Sequence, residues 1–320
     1  MRTELSLTSQ SIFTAHGEAA AILRRLGVTL TVIALVVTAI MTVLIVLALR
    51  RRGTVPEPGS VTLEHYAAQG RRGVRWIIVG TVITLGILGF AAIYSVVVLV
   101  AYPAEVASAT MTVRITGYQY WWKVEYLEGN GRPDIVDANE LHIPAGARIK
   151  LELAAADVIH SFWVPGLAGK TDLIPGQQNV MWIEADHPGA YRGQCAEYCG
   201  MSHANMRLEV FAHTPADFAA WQANERKIPV PDSAVTRIVG TRGCAACHRL
   251  AGQMNGQGGP DLTHVAERAT IAAGVLANTP DNLRAWLLDP QVIKPGTRMP
   301  RTGLTPQDVE RLVGYLGTLH

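Results

Sequence analysis

The chain reads Gln194-Cys195-Ala196-Glu197-Tyr198-Cys199-Gly200-Met201-Ser202-His203-Ala204-Asn205-Met206. Two thiols, an imidazole and, three residues after the imidazole, a thioether thus share one short segment. A further imidazole, His160, lies upstream in Asp157-Val158-Ile159-His160-Ser161-Phe162-Trp163. Soft sulfur combined with imidazole suits copper or zinc far better than magnesium or calcium. The C-x₃-C spacing is too wide for a C-x-x-C redox dithiol. Met206 argues against a structural zinc site, which rarely uses thioether.

A second motif follows at Cys244-Ala245-Ala246-Cys247-His248. C-x-x-C-H is the attachment signature of a c-type haem, in which both thiols form thioethers and the His ligates iron. The chain has 4 cysteines, so the two motifs use them all and leave none for a disulfide. Buried small hydrophobes are the bland alternative for Cys195 and Cys199; the flanking His, Glu and Met speak against it. His16, His65, His142, His187, His213, His264 and His320 read as surface or packing residues.

These groups need elements to position them. At 320 residues the chain has room for two or three domains, and its 49% hydrophobic content is unevenly spread. The stretches 26–49 and 76–102 carry no charge. Each is long enough to span the hydrocarbon layer, and neither has a polar face, so both read as transmembrane helices in a lipid bilayer. Between them lie Arg50, Arg51, Arg52, Arg71, Arg72 and Arg75 against Glu57 and Glu64. The positive-inside rule makes that loop cytoplasmic and both termini external, with Arg24 and Arg25 as weak opposition. The first apolar run is too long and too far from Met1 for a cleavable signal peptide. A net charge of +2 says little about partners, and no nucleic-acid signal is present.

Residues 1–25 read as a polar outer tail, and the whole stretch 1–107 as tail plus membrane hairpin. From Met111 the pattern alternates in short strands, at 111–116, 140–144, 149–153, 179–184 and 206–211, punctuated by Gly and Pro. Short strands at such spacing suggest a β-sandwich or barrel. Residues 223–234 read as a Pro-containing linker. Beyond it, 235–320 turns helical, with helices at 280–288 and 305–316 and Thr305 as N-cap before Pro306.

The copper-or-zinc segment, with His160, closely resembles the binuclear copper (CuA) loop of cytochrome c oxidase subunit II. The haem segment, with Gly259-Pro260-Asp261-Leu262 and Gly296-Thr297-Arg298-Met299-Pro300, resembles a small cytochrome c. Together they resemble the fused subunit II of a caa3-type haem–copper oxidase. The resemblance implies a multidomain fold: a two-helix membrane hairpin, an all-β cupredoxin-like Greek-key sandwich over 108–222, and an all-α cytochrome c domain. It implies Cys195 and Cys199 as bridging thiolates, with His160, His203, Met206 and the Glu197 carbonyl completing the CuA ligands. The Glu197 carboxylate would reach a magnesium ion at the interface with subunit I. The haem c, held by Cys244 and Cys247, would take His248 and Met299 as axial ligands, with Met254 as the competing methionine. The Pro260 carbonyl would accept a hydrogen bond from His248.

By the same resemblance the chain is the electron-accepting part of a respiratory oxidase on the outer, periplasmic face of the bacterial inner membrane. Thioether-linked haems are attached on that side. Oxygen reduction would belong to subunit I, with subunit III as a further partner. The donor would be a cytochrome c, another cytochrome or a quinol-oxidising complex. Electrons would enter the copper domain through the run Gly117-Tyr118-Gln119-Tyr120-Trp121-Trp122, at Tyr120 and Trp121, although Tyr120 stands where the family has tryptophan. Gly73 stands where the family usually carries a glutamate at a proton entrance, which puts that route in doubt. The CuA-bearing subunit of a nitric oxide reductase is the alternative reading. A free-standing membrane carrier is disfavoured by Glu197 and the two-helix anchor, and a quinol oxidase subunit II by the copper ligands.

Overall fold

The structure, a computed structural model, describes residues 10–50, 63–100, 102 and 109–320. Two compact units result: residues 22–103, and residues 1–21 with 104–320. Arg51, Arg52 and Glu57 of the inter-helix loop lie outside the described residues.

The first unit is built on α1 (Glu18–Arg50) and α2 (Leu63–Val100). Both are long and apolar enough to cross a membrane. Large apolar side chains point outward along them, Leu35, Trp76 and Ile77 among them, each more than half exposed. Such surfaces suit lipid, where every polar group needs an internal partner. Four helix hydroxyls have one: Thr31, Thr38, Thr42 and Ser95 each donate to the carbonyl four residues back.

The second unit begins before the first helix is complete. His16 N donates to Gly166 O at 2.7 Å and accepts, through its own carbonyl, from Asp186 N at 2.7 Å. Arg148 pairs with Glu18 at 2.7 Å. What reads in the sequence as a polar outer tail is therefore tied, from His16 on, to the β-domain.

That domain is a sandwich of two five-stranded sheets, ordered β3-β2-β1-β5-β8 and β4-β10-β9-β6-β7. The strands are β1 (Met111–Tyr118), β2 (Trp121–Leu127), β3 (Pro133–Ala138), β4 (Glu140–Pro144), β5 (Ile149–Ala155), β6 (His160–Trp163), β7 (Thr171–Leu173), β8 (Asn179–Ile183), β9 (Gly189–Cys195) and β10 (Arg207–His213). Alternation decides the faces: Val113 and Ile115 of β1, Ile149, Leu151 and Leu153 of β5, and Leu208 and Val210 of β10 all point into the core. Trp122 and Phe162 meet edge-to-face at 6.0 Å between the sheets.

Helix α3 (Pro215–Glu225) covers one end of the sandwich, where Trp221 stacks on His142 at 4.4 Å. The non-helical connector to the next element is thus 226–232. The C-terminal domain follows as α4 (Ser233–Thr241), α5 (Pro280–Leu288), α6 (Pro290–Ile293) and α7 (Pro306–Leu316). Its helices bury Val235, Val239, Leu283, Val309 and Leu312 in one core. Thr305 caps α7 in a capping box with Asp308, and Pro306 occupies the first turn.

Candidate copper and haem sites

The antiparallel pairing of β6 with β9 sets Phe162 opposite Cys195 and brings His160 beside the cysteine loop. The ligand atoms of His160, Cys195 and Cys199 lie within 4.8 Å of one another. Cys195 Sγ stands 3.9 Å from Cys199 Sγ and 3.9 Å from His160 Nδ1. Cys199 Sγ stands 3.5 Å from His203 Nδ1 and 3.9 Å from Met206 Sδ. The Glu197 carbonyl lies 3.2 Å from Cys195 Sγ. One short 3₁₀ turn, His203–Asn205, turns the loop so that His203 and Met206 reach the same place. All six expected ligands converge: two imidazoles, two sulfurs between them, a thioether and a carbonyl.

The electrostatics favour thiolate at this place. A hydrogen bond from Cys199 holds the Cys195 thiol down at about 4, and the same interaction pushes Cys199 above its ordinary range. Burial works against a charged His160, but Asp157 and Cys195 outweigh it and raise its pKa. His160 Nε2 is 2.8 Å from Asp157 Oδ1. With Nε2 directed at a carboxylate, Nδ1 is left facing the sulfurs as the ligand nitrogen, the usual arrangement of a metal-binding histidine. The donor set, buried and soft, fits copper.

The haem motif forms a cleft. Cys244–Ala246 is a 3₁₀ turn, and the two cysteines, His248 and Met299 all line one cavity with about 1540 Å³ of empty space including its mouth. Leu250, Leu283, Trp286 and Leu312 supply apolar walls. His248 Nδ1 donates to Pro260 O at 2.8 Å. A carbonyl only accepts, so the proton sits on Nδ1 and Nε2 is free to ligate. Burial lowers the His248 pKa against the pull of Pro260, which keeps the ring neutral as a metal requires. A β-carbon on Gly259 would lie 2.9 Å from His248 Cε1, so only glycine lets the chain pass the ring this closely. Met254 also lines the cavity, but it is 3% exposed within the domain core, in a two-residue ladder with Leu250. The thiols, imidazole, thioether and apolar walls fit a covalently held haem.

Residues 128–212 match the family model described as cytochrome C oxidase subunit II, periplasmic domain, and residues 234–320 match the cytochrome c model. The chain joins a cytochrome c oxidase subunit II domain to a cytochrome c domain. It is 38% identical over 221 residues to cytochrome c oxidase subunit 2 of Alkalihalophilus pseudofirmus, covering 67% of this chain and 63% of that one. It is 32% identical over 229 residues to the subunit 2 of Bacillus sp. strain PS3, covering 66% and 62%. The chain therefore spans a little under two thirds of these relatives' own length. A solved periplasmic domain of subunit II of cytochrome oxidase from Bradyrhizobium japonicum is 32% identical, covering 38% of this chain and 97% of that chain, with a TM-score of 0.34.

The two domains share the haem cavity. Tyr120 and Trp121 of the subunit II domain line it beside the cytochrome residues, and they are 5% and 8% exposed. Trp121 stacks on Tyr118 at 4.6 Å. The expected electron-input aromatics thus face the haem cavity rather than open solvent. A buried ion pair, Arg268 with Asp137 at 2.8 Å, spans the same junction. Glu140 Oε1 accepts from Ala269 N at 2.9 Å and Thr270 N at 3.3 Å.

The Glu197 carboxylate, about half exposed, lies 3.6 Å from Lys170, which also pairs with Asp172 at 3.2 Å. Sequence reasoning gave no role to Asp157, Lys294 or Arg298. Asp157 had a signal, standing three residues before a ligand histidine. Lys294 had none: an isolated lysine between Ile293 and Pro295 reads as a solvated charge.

Proposed function

We propose that this chain is the electron-accepting subunit II of a respiratory haem–copper oxidase, with its own cytochrome c built in. When bound, haem c and CuA would supply one-electron redox chemistry, and the reduction of oxygen to water would belong to subunit I. The protein's part is to hold both groups and exclude water between them. His248 and Met299 would ligate the haem, Cys244 and Cys247 would tether it, and the six donors around Cys195 and Cys199 would hold the copper pair. The observation that carries this reading is the shared cavity, in which the haem ligands and the copper domain's Tyr120 and Trp121 line one space.

Finer parts of the reading belong here too. Half-exposed carboxylate oxygen at Glu197 is the donor type a magnesium ion takes at an interface with subunit I. The arginines between the two apolar helices favour a cytoplasmic loop, an inner-membrane location and periplasmic redox domains. Subunit III and a cytochrome or quinol-oxidising donor complete the assembly. The reported relatives are cytochrome c oxidase subunits, and the nitric oxide reductase alternative has no support from them. Purifying the complex and comparing oxygen with nitric oxide consumption tests the reading: oxygen turnover is expected, and nitric oxide turnover without it would overturn it.

A further inference from the structure

The segment 294–299 leads from α6 to the methionine that lines the haem cavity, and on the way it grips the surroundings of the copper ligands. Lys294 Nζ donates to Tyr120 O at 2.7 Å and to Ala272 O at 2.8 Å. Ser202, next to the ligand His203, donates through Oγ to Pro295 O at 2.5 Å. Gly296, at φ +77°, passes close to Met201, whose Sδ would lie 3.5 Å from a β-carbon there. Arg298 lies 3.0 Å from Asp157 Oδ2, and the other oxygen of that carboxylate holds His160. Gln291 braces the segment from within: its Nε2 donates to Thr297 O at 2.7 Å and Met299 O at 2.8 Å, and its Oε1 accepts from Gly296 N at 3.1 Å.

We infer that residues 294–299 form a docking loop that fixes the haem against the copper site, with Lys294 and Arg298 as positioning residues. One stretch of backbone presents Met299 to the haem and engages Tyr120, Ser202 and Asp157 around the copper ligands. Its redox consequence rests on the electron-transfer reading above; the docking itself does not.

Burial explains why these charges specify a geometry rather than merely add attraction. Lys294 is 2% exposed, and taking an ammonium out of water is costly unless acceptors replace the water. Two carbonyls from different parts of the junction do so, and only in one register. A slip of the domains would leave the ammonium buried without them, so misdocked arrangements are penalised. Arg298 acts differently. Its side chain is 57% exposed, so it adds little affinity, but it occupies the second oxygen of the carboxylate that orients His160. Rigid placement matters because electron transfer falls steeply with separation, and a loop shared by both centres leaves little slack between them.

The test uses the full chain in its complex, with Arg298→Gln, Lys294→Met, the double variant, and Arg298→Lys as the conservative control. The first readout is hydrogen exchange at the Gln119 amide, which donates to Asp157 Oδ2 at 2.8 Å, in protein stripped of copper. The second is the rate of haem-to-copper electron transfer after rapid photoreduction of haem c. Arg298→Gln should speed exchange and slow transfer, Arg298→Lys should restore both, and the double variant should slow transfer roughly tenfold while each centre keeps its own spectrum. Unchanged exchange and rate in Arg298→Gln, a surface change that leaves folding intact, would overturn the inference. Faster exchange with an unchanged rate would overturn the positioning role. If the unmodified chain passes no electron from haem to copper, the electron-transfer reading fails, and the exchange readout still decides the docking.

Discussion

Gly117 and His160 are packed so closely that a β-carbon on Gly117 would stand 2.7 Å from His160 Cδ2. The glycine sits at the end of β1, on the inward face, and the imidazole fills the space a side chain would take. Trp122, the cross-strand partner of Gly117, stands edge-on to the same imidazole at 6.0 Å. The copper site is therefore held as much by shape as by its donors.

Gly117→Ala should accordingly displace His160 and cost about 1–3 kcal/mol of stability through overpacking. Copper content and the near-infrared copper band should fall, while haem c stays covalently attached at full occupancy. Metal analysis and a haem stain on the same sample check both halves.

Replacing Cys199 by Ser should abolish the mixed-valence copper signal, since Cys199 lies within reach of Cys195, His203 and Met206 at once. The haem-attachment motif has its own cysteines, Cys244 and Cys247, so haem attachment should be untouched. Electron paramagnetic resonance reads the copper; an intact mixed-valence spectrum in Cys199→Ser would contradict the ligand set.

The two candidate methionines should separate cleanly. Met299→Ala should leave the haem attached, remove the methionine-to-iron absorption band and lower the reduction potential. Met254→Ala should keep the band and instead cost about 2–5 kcal/mol, as expected for a core methionine that is 3% exposed. Absorption spectra with thermal melts of both variants distinguish the outcomes.

Glu140 should make the stability of the domain junction depend on pH. Burial, with help from nearby Asp137 and against Arg268, raises its pKa from 4.5 to about 8. The folded protein therefore holds this proton more tightly than the unfolded chain. The stability it contributes is complete below about 4.5 and is lost as pH rises towards 8. Glu140→Gln mimics the protonated acid and keeps an acceptor for Ala269 and Thr270. Its stability should match the parent near pH 4.5 and exceed it near pH 8, flattening the profile between. Denaturant melts across that range would show the gain; parallel profiles would contradict it.

The candidate ligands were legible because rare residue types at fixed spacing leave few chemistries open. Cys195, Cys199, His203 and Met206 share one loop, and only His160 had to be brought in by folding. The strands with clean alternation, β1, β5 and β10, were legible for the same reason that their cores are well packed. β6 is too short to alternate, and β9 carries two glycines in Gly189-Ala190-Tyr191-Arg192-Gly193-Gln194-Cys195, so neither announced itself. The short helix α3 has a weak apolar stripe, burying only Phe218, whereas α4 carries a clear one in Val235, Ile238 and Val239 but runs for only nine residues. The domain junction was silent altogether. Arg268, Asp137, Glu140 and Lys294 become partners only when two surfaces meet, and no periodicity within either domain encodes that. A sequence view of 223–234 as a tether gives way to a cytochrome domain seated against Tyr120, with α3 running on to Glu225.

The most direct test of electron transfer from haem c to copper within one chain is transient absorption on the purified complex. Haem c is reduced by a light pulse, and its reoxidation is followed together with the copper band. Haem reoxidation and copper reduction should share one rate constant that does not change with protein concentration or ionic strength. A rate proportional to protein concentration, or haem reoxidation with no matching change at copper, would contradict the built-in donor.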